Sequence, residues 1–233
     1  MASRSMPSRA TLLALEAPRA VGELGLLAAC SPLLSLAPRG DGHTVLVMPG
    51  LGASDASTRP LRRFLKALGY DVHGWALGRN EGPTRRMLDG VGRRFLDLHG
   101  RRGESVSLVG WSMGGIFARR LAHLNPDSVR QVITLGSPFR MLSEIPSSAL
   151  RMPSTSVYSR TDGIAPWRSC FDDSGPRHEA VEVIGSHCGL GHHPAVLHLV
   201  AHRLAQPADA WEPFEARGLW RPWFPVVAVA VPD

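Results

Sequence analysis

Between His43 and Leu204 the sequence alternates short β-branched runs with longer stretches of helical periodicity, and this alternation restricts the fold more than any other feature. A strand buried on both faces reads as a continuous apolar run, and such runs separated by helices build a parallel sheet wrapped by helices. Strands are expected at Thr44-Val45-Leu46-Val47-Met48 and at 70–76, 105–109, 129–135, 154–159 and 181–184. Helices are expected at 57–68, 84–99, 114–124 and 193–204, and in the second of these Met87, Leu88, Val91, Phe95, Leu96 and Leu98 recur at helical spacing. The expected fold class is therefore α/β, a doubly wound domain with about six mostly parallel strands and helices on both faces. A chain of 233 residues is long enough to bury one core of this kind. The expected division is a helical extension over 1–36, the main domain over 37–205 and a Trp- and Pro-rich arm over 206–233.

Gly110-Trp111-Ser112-Met113-Gly114 matches the pattern G-x-S-x-G. In a chain with 24 glycines the pattern alone is a weak signal, and its context makes it specific. It follows the apolar run Val106-Ser107-Leu108-Val109 and precedes the helical run that starts at Gly115. A serine hydroxyl is a poor nucleophile, so it must stand exposed on a sharp turn beside a base, with backbone amides ready for an oxyanion. The competing reading is a glycine-rich strand-to-helix turn with an incidental serine.

On these residues the chain resembles the α/β-hydrolase superfamily, particularly small bacterial lipases and esterases with little or no cap domain. The resemblance spans about 43–205 and implies a Ser, Asp, His order along the chain. Asp162, in Asp162-Gly163-Ile164-Ala165-Pro166 after the strand near 154–159, matches the acid; Asp172 and Asp173 are its rivals in a polar stretch. His187, in Gly185-Ser186-His187-Cys188-Gly189, matches the base; His192 and His193 are rivals, better suited to capping the helix that begins near Pro194. The loop Pro49-Gly50-Leu51-Gly52 stands where relatives supply an oxyanion amide, which implies donors at the N–H groups of Leu51 and Met113. The implied activity is ester hydrolysis through an acyl-enzyme on Ser112, without a cofactor. Acyl transfer or thioester hydrolysis on the same residues, and a non-catalytic interaction protein that kept the fold, are the alternatives.

Only Gly136–Pro153 is available for a lid, with Phe139, Met141, Leu142 and Ile145 as its apolar residues. An open cleft lined by Leu51, Trp111, Met113, Phe139 and Met141 suits a hydrophobic ester, although Trp111 fits a core position equally well. The histidine cluster lacks zinc-site spacing, so no metal is expected. Cys170 and Cys188 leave two readings open: a bridge holding the histidine loop, worth ~3 kcal/mol on loop-entropy grounds, or two reduced thiols.

The net charge of +6 comes almost wholly from arginines dispersed over helical segments, and no nucleic-acid-binding motif accompanies it, so no nucleic-acid partner is expected. The four residues Leu27-Ala28-Ala29-Cys30 are similar to a lipoprotein cleavage box, but Glu16, Arg19 and Glu23 interrupt the apolar stretch that a signal peptide needs. The expectation is a cytoplasmic protein whose N-terminal segment is an amphipathic helix docked on the domain, with an exported or Cys30-anchored form as the alternative. The C-terminal arm is expected to pack on the body; a membrane-surface contact is compatible with it but not required. The sequence leaves the oligomeric state open.

Overall fold

A computed structural model of the chain describes residues 7–141, 149–172, 175–207, 210–225 and, for the backbone, 227–228. Two helices come first, α1 (Arg9–Ala14) and α2 (Glu16–Leu34). The alternating region follows as β1 (Thr44–Met48), α3 (Arg59–Ala67), β2 (Asp71–Gly74), α4 (Arg85–Arg102), β3 (Val106–Trp111), α5 (Met113–Leu124) and β4 (Val129–Leu135). It is completed by β5 (Ser154–Tyr158), β6 (His178–Glu182), α6 (Pro194–Ala205) and a short β7 (Val227–Ala228). The strands form one sheet in the order β2-β1-β3-β4-β5-β6-β7. The first six run parallel and β7 adds an antiparallel edge against β6.

Period-two alternation divides the core into two layers. Val45 and Val47 face Leu61 and Leu65 of α3 and Leu197 and Val200 of α6. Their neighbours Leu46 and Met48 face Met87, Val91 and Phe95 of α4 and Phe117 and Leu121 of α5. Leu46 is fully buried, and cutting such a side chain to alanine costs roughly 2–5 kcal/mol. The Thr84 hydroxyl caps α4 by accepting the Met87 N–H at 3.3 Å, and Gly103 ends it at φ 67°, a conformation glycine adopts at little cost.

Two elements differ from the sequence expectation. β6 begins earlier than 181 because His178 and Glu179, polar residues that break the apolar run, are part of it. Glu179 is buried on that strand by pairing with Arg203 of α6 at 2.9 Å and by accepting the Thr155 hydroxyl at 2.8 Å. β7 lies in the arm, where prolines and tryptophans hide any strand signal. The arm does pack on the body: Phe214 is fully buried, its N–H donates to Glu179 at 2.7 Å, and the Ile184 N–H donates to the Trp223 carbonyl at 3.0 Å.

The chain leaves β1 for β2 on one side and returns to β3 on the other. The loops after β1 and β3 therefore diverge at the carboxyl ends of adjacent strands, where open α/β sheets form their binding crevice.

Candidate active site

The turn after β3 sets the position of Ser112. Its backbone lies at φ 54° and ψ −122°, a strained conformation for a residue with a side chain. The strain is held from both sides: the Ser112 N–H donates to the Leu135 carbonyl at 2.8 Å, and its carbonyl accepts the Gly115 N–H at 3.0 Å. The flanking glycines are required by packing. A Cβ on Gly110 would lie 2.3 Å from the Cα of Gly115, and one on Gly114 would lie 2.2 Å from the Met48 carbonyl oxygen. Strand and helix approach too closely there for any larger residue, and Ser112 is left half-exposed at the apex.

Beside it runs the loop after β1. A Cβ on Gly50 would stand 3.2 Å from Ser112 Cβ and 3.8 Å from its Oγ, so this backbone lies against the serine. Met113 opens α5, whose first turn packs against the end of β1 at Gly114, and the first N–H groups of a helix have no intrahelical acceptor. Asn80, buried and unflagged by any sequence pattern, organises the loop. Its side-chain amide donates to the Pro49 carbonyl at 2.8 Å, its carbonyl accepts the Gly52 N–H at 2.8 Å, and its N–H donates to the Ala53 carbonyl at 2.8 Å. A single asparagine in a loop carries no periodicity or spacing, so only the fold reveals it.

Asp162 and His187 meet at the carboxyl ends of β5 and β6. His187 Nδ1 lies 2.6 Å from Asp162 Oδ2. The other carboxylate oxygen accepts the N–H groups of Ile164 at 2.8 Å and Ala165 at 2.7 Å, which fixes the orientation of the carboxylate. Both side chains are buried. A Cβ on Gly136 would lie 3.1 Å from His187 Nδ1 and 3.3 Å from Asp162 Oδ2, while the preceding Leu135 receives the Ser112 N–H. The end of β4 thus lies between the serine and the acid–base pair. Among the described residues Ser112 Oγ makes no hydrogen bond; contacts of this kind commonly tighten only when substrate is bound.

The rivals are engaged elsewhere. Asp172 forms a buried ion pair with Arg119 and accepts the Ser154 hydroxyl at 2.8 Å. Asp173 lies outside the described residues. His193 caps α6 as expected, accepting the Ala195 N–H at 3.2 Å, and His192 Nε2 lies 2.9 Å from the Ala20 carbonyl. Elsewhere a serine, a histidine and an aspartate are hydrogen-bonded in sequence: Ser107 Oγ lies 2.8 Å from His43 Nε2, and His43 Nδ1 contacts Asp41. It lies at the opposite end of β3, and Ser107 is fully buried between β1 and β4, out of reach of a substrate.

Trp111, expected among the cleft residues, braces the histidine loop. Its indole N–H donates to the His187 carbonyl at 3.0 Å, and its ring packs against Gly191, where a Cβ would come within 3.0 Å. Phe139 is buried beside Ile116 and Met113 with the Arg119 guanidinium 4.1 Å from its ring centre. Leu51 and Met141 are exposed, and Leu142 and Ile145 lie outside the described residues. Cys170 and Cys188 are free thiols, so the bridge left open by the sequence is not formed. Burial, with Glu16 nearby, pushes the Cys188 thiol up to about 11, and burial pushes Cys170 up to about 12; both stay protonated at neutral pH. Among the described residues no group of three or more His, Cys, Asp or Glu is arranged to hold a metal ion, and no helix is long and apolar enough to cross a membrane.

A strained serine at a strand-to-helix elbow on a parallel sheet, with an Asp–His pair on later strands of that sheet, defines the hydrolase class of α/β proteins. A sequence model described as the alpha/beta hydrolase fold matches residues 31–168, and the chain belongs to this family. Solved structures agree on the fold. A CIB-like hydrolase from Thermoplasma acidophilum superposes with a TM-score of 0.54 at 17% identity, covering 70% of this chain and 86% of that one. An alpha-beta serine hydrolase homologue from Coxiella burnetii gives 0.55 at 16% identity, covering 72% and 87%. A pyrethroid hydrolase gives 0.57 at 16% identity, covering 72% and 99%.

Proposed function

We propose that the protein hydrolyses carboxylic esters of hydrophobic acids through an acyl-enzyme on Ser112. The observation that carries this reading is the 2.6 Å contact of His187 with a buried Asp162 at the carboxyl end of the sheet, the end that also holds the strained Ser112. With Nδ1 engaged by the carboxylate, the imidazole presents Nε2 as a base. Nε2 takes the Ser112 proton as Oγ attacks the ester carbonyl, then returns it to the leaving alcohol; Asp162 stabilises the imidazolium between these steps. The N–H groups of Leu51 and Met113 receive the negative charge that develops on the carbonyl oxygen. Water then repeats the sequence and releases the acid. Exposed Leu51 and Met141 offer apolar surface to the acyl chain, with Phe139 behind Met113. Trp111 contributes by holding the His187 loop.

The test is turnover of p-nitrophenyl esters of increasing acyl length by the wild type and Ser112→Ala. Turnover with a length optimum, abolished in the variant, supports the reading. No wild-type turnover at any length would remove simple ester hydrolysis and favour acyl transfer or a thioester substrate.

A further inference from the structure

Helices α1 and α2 precede most of the region matched by the family, yet α2 lies against the two loops that carry Asp162 and His187. Glu16 is buried at 4% exposure, and its two carboxylate oxygens accept different loops. One accepts the Gly163 N–H at 2.8 Å, immediately after the acid; the other accepts the Cys188 N–H at 2.9 Å, immediately after the base. Glu23, two turns further along the same face, accepts the Ser186 N–H at 2.7 Å and also the Ser186 hydroxyl, on the residue before the base. Between them Arg19 donates to the Thr161 carbonyl at 2.7 Å and to its hydroxyl at 2.9 Å, on the residue before the acid. Both neighbours of Asp162 and both neighbours of His187 are thus bonded to one face of one helix.

The loops are shaped to receive it. A Cβ on Gly163 would lie 2.5 Å from the backbone of Leu12 in α1, and one on Gly189 would lie 1.5 Å from a Glu23 carboxylate oxygen. The Ser186 hydroxyl, while donating to Glu23, accepts the Gly189 N–H at 3.0 Å. Ser159 and Thr161 of the acid loop also donate their hydroxyls to the Gly185 carbonyl of the base loop, at 2.7 and 3.1 Å. Carboxylates are strong acceptors for backbone N–H groups, and a reacting pair keeps its geometry only when the groups behind it are themselves fixed.

We propose that Glu16 and Glu23 are positioning residues: through the peptide N–H groups beside Asp162 and His187 they set the register of the acid loop against the base loop. The proposal rests on the reading of Ser112, Asp162 and His187 given above. None of the helix residues touches the reacting atoms, and their effect passes through the backbone of the two loops.

The test compares the rate at which a fluorophosphonate probe labels Ser112 in the wild type, Glu16→Ala, Glu23→Ala, Glu16→Gln and Glu23→Gln. Each rate is normalised to the folded fraction, and kcat and KM for a p-nitrophenyl ester are measured alongside. Small misplacements of reacting groups cost about 100-fold in rate, so the alanine variants are expected to label about 10- to 100-fold more slowly, with kcat falling and KM little changed. Glutamine keeps one carbonyl acceptor, and its variants are expected to fall between alanine and wild type. Folded alanine variants that label at the wild-type rate would overturn the proposal. If the alanine variants do not fold, the glutamine variants decide it: a severalfold slower rate supports it, and the wild-type rate overturns it. A wild type that fails to label would overturn the underlying hydrolase reading, and the proposal with it.

Discussion

Asp162→Asn is the substitution whose outcome the hydrogen bonds define most closely. The amide oxygen of asparagine can keep the two backbone bonds that Asp162 Oδ1 now accepts from Ile164 and Ala165, at 2.8 and 2.7 Å. The amide nitrogen must then take the place of Oδ2, 2.6 Å from His187 Nδ1. Two donors cannot share that contact, so the imidazole moves its proton to Nε2 and accepts at Nδ1. In that tautomer Nε2, the nitrogen proposed above to take the Ser112 proton, already carries one and cannot take another. Because the substitution is isosteric and preserves the backbone bonds, the thermal midpoint should shift by no more than about 4 °C, equivalent to roughly 1 kcal/mol for a chain of this size. The turnover should fall by about 10⁴-fold, the loss expected when an acid–base pair is held in the wrong tautomer. Ester kinetics on purified wild type and variant, with thermal melts of both, measure the two quantities. Retention of more than roughly a tenth of wild-type kcat by the folded variant would refute the assignment of Asp162 as the acid.

Asn80→Ala removes the donor to the Pro49 carbonyl and the side-chain acceptor that takes the Gly82 N–H at 2.9 Å; a loss of roughly 1–3 kcal/mol in stability and a lower kcat are expected from denaturation curves and ester kinetics. Asp172→Ala leaves Arg119 buried without its carboxylate and should cost about 3–5 kcal/mol, read as a fall of roughly 6–20 °C in the thermal midpoint, while turnover per folded molecule stays in the wild-type range. Burial, reinforced by His192 and Arg19, holds His193 down to about 4, and burial with His202 nearby holds His198 at about 4 as well. An imidazole depressed in the folded state binds its proton first in the unfolded chain, so stability is complete above the unfolded value near 6.5 and is lost as pH falls from there towards 4. For His193 the loss is roughly 3 kcal/mol; His198 is partly exposed and contributes less. Urea titrations at pH 7 and pH 4.5 should show it, and His193→Asn, which keeps a capping acceptor, should flatten the dependence.

Sequence carried the parallel sheet because a strand covered on both faces must be apolar throughout, as Thr44–Met48 is. The serine elbow was legible for a related reason: Gly110 and Gly114 flank Ser112 because strand and helix leave no room for a Cβ. The Asp162 and His187 loops were legible through their places after strands. What escaped was held by tertiary contacts without a local pattern. β6 begins at His178 because Glu179 finds Arg203 across the fold, and no window of sequence contains both. Asn80 matters through bonds to a loop some thirty positions earlier in the chain. Glu16 and Glu23 were legible only as interruptions of an apolar segment, whereas in the structure they face the site loops. Trp111 sits beside the nucleophile in sequence but turns towards the core, a direction that its neighbours do not encode.

The proposed reaction requires a covalent ester on Ser112. Rapid quenching of the enzyme during turnover of a p-nitrophenyl ester, followed by intact and peptide mass spectrometry, tests it directly. An acyl-enzyme on Ser112 gives a p-nitrophenol burst and an acyl increment confined to the Ser112 peptide, both absent from Ser112→Ala. Turnover that persists in Ser112→Ala, or an acyl group carried on another residue, would contradict it.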